Sequence, residues 1–294
     1  MEAEAVSTPG AATVSPRVAT PSATGARPKP RKTLGRPVAV LLRVCSLLLF
    51  FALWWGVSLL NAHVLKVFNP VLLPAPDEVL RAGIKMAASG ELLRHITASL
   101  SRVLWGFGIA AVLGVVVGTA LARSRVLEHL IEPSLEMLRP IPPLAFLPMM
   151  VLWFGIGESS KVAFIAYAAF FPVFTTTVEG IKYVDPLLIR AASSLGATER
   201  QIFWHVVLPA ATPNIITGLR LAFGLSFFVI VAAEFIAADS GLGFLINDAR
   251  TFFLVANMLL GAAVIGIIGV AANVLLRKLE ARLLRWRAES RGQA

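Results

Sequence analysis

Asp185-Pro186-Leu187-Leu188-Ile189-Arg190-Ala191-Ala192-Ser193-Ser194-Leu195-Gly196-Ala197-Thr198, running on through Gln201 to Leu208-Pro209 and Gly218-Leu219-Arg220, carries complete helix start and stop signals in one short stretch. Asp185 is placed to cap a first helix, with Pro186 at the first helical position, where its missing N–H costs nothing. Gly196 supplies the left-handed residue that closes such a helix. Thr198 and Gln201 are spaced as a capping box for a second short helix, and Leu208-Pro209 is expected to end it. Apolar residues fall at Leu187, Leu188, Ala191, Ala192 and Leu195, then at Ile202, Phe203, Val206 and Val207. That spacing predicts one apolar stripe per helix, on a unit built to press against something.

The surroundings of this unit are membrane-like. Of the 294 residues, 57% are hydrophobic and 15% charged, a balance foreign to soluble domains of this length. Six apolar segments approach the roughly 20 residues needed to cross a bilayer: 38–60, 96–122, 134–154, 161–180, 213–238 and 254–276. Arg43 in the first can snorkel to the headgroups. The net charge of +10 is concentrated at the ends. Arg17, Arg27, Lys29, Arg31, Lys32 and Arg36 precede the first segment, and Arg277, Lys278, Arg282, Arg285, Arg287 and Arg291 follow the last. The positive-inside rule then puts both termini in the cytoplasm and the unit at 181–212 on the same side. The expected organisation is a disordered cytoplasmic tail over 1–37, a six-span domain over 38–276, and a basic cytoplasmic tail over 277–294. The first tail is rich in Ala, Pro, Thr and Ser and has too little apolar surface to fold. It is also too long and too basic for the leading part of a cleaved signal peptide, so the first span is expected to be retained. The basic ends lack the interleaved aromatics of single-strand nucleic-acid binders, and no nucleic-acid partner is expected.

Between the first two spans, Asp77 is read as the cap of an interfacial helix with Val79, Leu80 and Ile84 on its apolar side, ended by Ser89-Gly90. Residues 274–288 alternate Leu276, Leu279, Leu283 and Trp286 with arginines and lysine, as an extension of the last span at the headgroups. The second span has Gly106, Ala110, Gly114, Gly118 and Ala122, a small residue every fourth position, which lets a neighbouring helix approach closely. The third has Pro140, Pro142, Pro143 and Pro148, and Pro172 lies in the fourth. Freed carbonyls at such prolines are tolerated in a membrane where protein or water satisfies them, so Pro142 and Pro143 mark either a kink or a water-lined path. Glu234 is the acidic residue set well inside a span, and Arg102 lies at similar depth. Pairing that fixes the bundle and a direct part in translocation are both open for them, with Arg102 of the right sign to orient an anion. Arg220 reads as an interface anchor. His63, His95, His129 and His205 show no metal-ligand spacing, the one cysteine, Cys45, has no partner for a disulfide within the chain, and no phosphate-binding G-x-x-x-x-G-K-[ST] occurs. No catalytic or metal site is expected.

The run x-Ala-Ala-x-x-x-Gly at 190–196 followed by Leu208-Pro209 resembles the cytoplasmic loop of ABC importer permeases. The resemblance is close over 190–220 and extends loosely from Leu73 to Trp286. Leu73-Pro74-Ala75-Pro76, Ser99-Leu100-Ser101-Arg102, Arg139-Pro140-Ile141-Pro142-Pro143 and Gly241-Leu242-Gly243 resemble the sub-family importing sulfonates, taurine, nitrate or bicarbonate. This family implies an all-α six-span permease in the bacterial inner membrane, moving a small solute by alternating access, with organic sulfonates such as taurine foremost. It implies a dimer of ATPase subunits that binds the ATP, a second permease copy forming a homodimer, an extracytoplasmic solute-binding protein and surrounding lipid; no cofactor is expected on this chain. Leu187, Leu188, Arg190, Ala191, Ala192, Leu195, Gly196, Leu208 and Pro209 then become the ATPase-coupling loop, and Arg102, Pro142, Pro143 and Glu234 candidates for the translocation path. Arg190 departs from the family, which usually has Glu there, so a salt bridge to the ATPase is either replaced or absent. A secondary transporter or channel would share the spans and prolines but has no use for a twin-helix unit in one loop.

Overall fold

The computed structural model describes residues 36–67 and 69–283. The expected disordered tail, most of its basic residues, and the arginines and Trp286 beyond 283 lie outside these. Among the described residues every regular element is helical: α1 (Arg36–Leu60), α2 (Pro76–Ala88), α3 (Glu91–Arg123), α4 (Arg125–Leu138), α5 (Pro143–Phe154), α6 (Glu158–Lys182), α7 (Pro186–Ser194), α8 (Glu199–Ile202), α9 (Leu208–Ala237), α10 (Leu242–Thr251) and α11 (Val255–Leu283). Five stretches are long and apolar enough to span a membrane, and α4 with α5 makes a sixth if that pair, bent by 100°, is one broken span. Everything that follows lies in the compact unit beginning at Phe50.

The small-residue stripe predicted on α3 is the seam of the bundle. A Cβ placed on Gly106 would stand 2.6 Å from Ile165 Cβ, on Gly114 2.8 Å from Val173 Cβ, and on Gly118 2.9 Å from Thr177 Cβ. All three partners lie on α6, in step with the stripe, so the two backbones meet as closely as glycine permits. Ala110, Ala169, Val173 and Ala222 continue the close packing to α9. Beside them Phe107 meets Phe223 edge-on at 4.9 Å, and Phe223 meets Phe227 at 5.2 Å.

Three boundaries differ from the sequence reading. Asp77 does not cap α2: Ala75 takes the N-cap with Pro76 at the first helical position, and Asp77 sits in the first turn, bonded to Arg81 at 3.2 Å. There its charge favours the helix dipole instead. The third span does not run straight from 134. Residues 134–138 belong to α4, the chain turns at Arg139-Pro140-Ile141-Pro142, and α5 starts afresh at Pro143. Alone, α5 is about 18 Å long, well short of the roughly 30 Å hydrocarbon layer.

Finally, Leu208-Pro209 does not end a helix. Glu199–Ile236 is a single helical run of 38 residues. Proline interrupts an α-helix by withholding an N–H and crowding the carbonyl one turn back. Here Phe203–Val207 form a π turn, closed by the Leu208 N–H on the Phe203 carbonyl, and the wider turn carries the chain past Pro209.

Candidate functional site

Two places concentrate the predicted residues, at opposite ends of the bundle. They are separated by the length of α6, about 36 Å at 1.5 Å per residue.

The first is the elbow at 185–209. Asp185 Oδ1 accepts from Leu187 N at 2.8 Å, so α7 is capped as expected. Gly196 has φ +79°; its N–H donates to the Ser193 carbonyl at 3.0 Å, and Ala197 N–H to the Ala192 carbonyl at 3.2 Å. These two bonds are the Schellman closure of a helix. Thr198 and Gln201 then cap α8 reciprocally. The elbow therefore has a set angle.

Its two apolar stripes have different fates. Phe203 is buried beneath the Arg123 guanidinium, 4.7 Å from the ring centre, while Val207 and Leu208 pack with Ile189 on Ile181, Val184, Ala211 and Ile215. The second stripe thus presses on the chain's own bundle. On α7 only Ile189 turns inward in this way. Leu187 is 63% exposed, Leu188 48% and Leu195 87%, with Ala191 also exposed and Ala192 half-buried. Arg190 is exposed and makes no ion pair among the described residues. The root is clamped by Lys182 Nζ, which donates to Glu128 at 2.9 Å and to Glu132 at 3.2 Å, tying α6 to α4.

The second place is a buried polar cluster joining the N-terminal ends of α3 and α6 to the C-terminal end of α9. Arg102 is 2% exposed and Glu234 1%. Arg102 Nη1 donates to Glu234 Oε1 and to the Ser240 carbonyl, both at 2.6 Å. Its Nε and Nη2 donate to Glu158 at 2.5 and 2.7 Å, and Nη2 also reaches Ser240 Oγ at 3.1 Å. These five bonds occupy the guanidinium's five N–H donors. Lys161 adds a donor to Glu158 at 3.1 Å, so two cations meet two carboxylates.

Glu234 also receives Ser99 Oγ at 2.7 Å and the Gly243 N–H at 2.7 Å, while Ser99 Oγ accepts the Leu242 N–H at 2.8 Å. His95 Nδ1 accepts the Gly241 N–H at 3.1 Å, which assigns its ring proton to Nε2. The first three N–H groups around the start of α10 are therefore all satisfied by side chains, with a carboxylate at the positive end of the helix dipole. The glycines are required by this arrangement. Gly241 has φ +118° and a Cβ there would strike the Glu234 carboxylate, while one on Gly243 would lie 2.9 Å from Glu234 Cβ.

Two sequence motifs singled out separately, Ser99-Leu100-Ser101-Arg102 and Gly241-Leu242-Gly243, thus meet here. Arg102 and Glu234 do pair, and Arg102 presents no unoccupied donor to a passing anion. Glu158, Lys161, Ser240 and His95 were missed as members of the cluster. Glu158 and Lys161, three residues apart at the start of a span, were the legible hint; the link from Glu158 to Arg102 spans 56 positions. Pro142 and Pro143 lie away from it, on a groove of about 640 Å³ shared with Phe164, Phe227, Phe228 and Phe235.

The bundle is thus built of helices long and apolar enough to cross a membrane, with an exposed apolar elbow at one end. Residues 110–286 match the family described as binding-protein-dependent transport system inner membrane component. The chain is 40% identical over 255 residues to the taurine transport system permease protein TauC of Escherichia coli, covering 85% of this chain and 91% of that one. It is 38% identical over 228 residues to the putative aliphatic sulfonates transport permease protein SsuC of Bacillus subtilis, covering 78% and 83%. Among solved structures, an amino acid ABC transporter described as crystallised with histidines superposes with a TM-score of 0.59 at 20% identity, over 67% of this chain and 96% of that one. The inward-facing MetNI methionine ABC transporter does so at 0.56 and 18% identity, over 68% and 97%. The chain belongs to this family of ABC importer permeases.

Proposed function

We propose that this permease carries a small organic sulfonate, taurine or an alkanesulfonate, into the bacterial cytoplasm, as one half of a homodimer driven by two ATPase subunits. The names of its relatives support the solute class. A solute-binding protein delivers the solute at the end of the bundle holding Glu158, and both termini and the elbow face the cytoplasm. Hydrolysis takes place on the ATPase chains, and no cofactor is held here.

One observation carries the mechanism: the exposed stripe of Leu187, Leu188 and Leu195 is joined through a set turn to the 38-residue run Glu199–Ile236. Displacing α7 therefore displaces a spanning helix, with no slack segment to absorb the motion. Ala191, Ala192 and Gly196 shape the lever, Leu208 and Pro209 lie in its continuous shaft, and Arg190 at its flank meets a partner surface not built for Glu. At the far end Arg102 and Glu234 act as a brace that holds α3, α6 and α9 together while the bundle rocks. The broken segment at Pro142 and Pro143, beside an aromatic groove, is the part of the path able to reshape.

Proteoliposomes holding the permease with its ATPase should accumulate radiolabelled taurine or ethanesulfonate only when ATP is inside and loaded binding protein outside. Uptake driven by an ion gradient without ATP would overturn the proposal in favour of secondary transport.

A further inference from the structure

At the elbow end of the bundle α9 and α11 are separated by a groove of about 510 Å³, within the range of small-ligand sites. Its floor is apolar, formed by Phe223 and Phe227 from α9 and Leu276 from α11. Its polar groups are Arg220 from α9, with Asn273 and Arg277 one turn apart on α11. Gly224 and Gly269 also line it, and a Cβ on either would meet nothing within 4 Å, so the groove has room to spare.

The charges do not balance. Arg220 Nη1 donates to Glu280 Oε2 at 3.0 Å, which uses the acidic partner. Among the described residues Arg277 makes no ion pair, and the Asn273 amide, set a turn deeper into the spanning helix, makes no hydrogen bond. A guanidinium forks onto tetrahedral oxyanions in two-point contacts, and an amide donor one turn away supplies a third. Both side chains are exposed, so among the described residues their donors stand open to a ligand entering beside the aromatic floor.

We propose that this groove binds an oxyanion headgroup, sulfonate or phosphate, with Arg277 and Asn273 as its direct donors and Arg220, held by Glu280, completing the positive wall. The apolar floor takes the short stem attached to it. Two sources supply that chemistry: the phosphate of an anionic lipid, or a sulfonate solute leaving the bundle.

The test uses the complete permease–ATPase complex in phosphatidylcholine nanodiscs, titrated separately with short-chain phosphatidylglycerol and with ethanesulfonate. Arg277→Ala and Asn273→Leu alter exposed side chains, and thermal unfolding confirms that each variant folds. Binding of one probe should weaken at least tenfold in both variants and be partly restored in Arg277→Lys. If phosphatidylglycerol alone responds, the source is lipid; if ethanesulfonate responds, it is solute. If neither probe distinguishes the variants from the wild type by more than twofold, the site does not exist. Because lipid binding is read without transport, that outcome leaves the importer reading standing, and a failed uptake assay leaves this one standing.

Discussion

Single residues set both ends of the molecule. Glu234 is buried with Arg102, Ser99 and the Gly243 N–H all donating to it. Removing its charge leaves Arg102 facing Glu158 alone and unsatisfies the start of α10. Breaking a buried, hydrogen-bonded pair by losing one partner costs about 3–5 kcal/mol. Glu234→Leu should therefore lower the unfolding temperature of the purified complex strongly, with Glu234→Asp milder; an unchanged melting curve would remove the brace from this account. At the other end, Gly196 at φ +79° has nothing within 4 Å of a would-be Cβ, so its demand is for backbone conformation alone. A side chain in that region costs about 1–2 kcal/mol, and a branched one more. Gly196→Val should distort the elbow and uncouple ATP hydrolysis from uptake while leaving membrane insertion intact, as ATPase and uptake assays on the same preparation would show. Normal coupling in that variant would mean the turn angle is immaterial.

At the scale of elements, the α3–α6 seam and the α7 stripe make separable predictions. Gly114→Leu drives a side chain into Val173 and Phe174 on a helix that cannot withdraw without breaking its packing on α9. Overpacking of this kind costs about 1–3 kcal/mol, and the complex should melt lower, whereas Gly108→Leu, where the space is open, should be tolerated. Leu188→Glu and Leu195→Asp alter exposed positions and should change stability by no more than about 0.5 kcal/mol. If these leucines anchor the ATPase, each should weaken its binding by about 2 kcal/mol, roughly thirtyfold, measurable by titrating detached ATPase onto the permease. Elements of this kind were legible to differing degrees. Asp185, Gly196 and the Thr198–Gln201 box act over two or three residues, and the glycine stripe repeats every fourth residue, so each could be read from spacing. Periodicity showed that both elbow helices have an apolar face but not which neighbour covers it, so Phe203 turning inward and Leu195 outward could not be told apart. Pro209 was misread because the π turn that accommodates it leaves no local signature. Glu158 was missed because Arg102, its partner on α3, lies 56 positions away along the chain.

In the whole molecule, sidedness and transmission can be tested separately. Two ends joined by α6 and the Glu199–Ile236 run, each long and apolar enough to cross a membrane, are expected on opposite faces of it. Cys45 is the single cysteine, so its replacement by serine leaves a background in which one introduced thiol reports one position. In intact cells a membrane-impermeant maleimide should label Phe253→Cys, on the exposed turn between α10 and α11, and leave Leu195→Cys unlabelled until the membrane is opened. We propose that the elbow is the handle through which a separate motor moves the bundle. The most direct test is a photo-crosslinking residue at position 195 in the assembled transporter. An adduct with the ATPase subunit is expected, changing in yield when ATP is added, and none from the same probe at 253. No ATPase adduct from 195, in a complex that still transports, would contradict it.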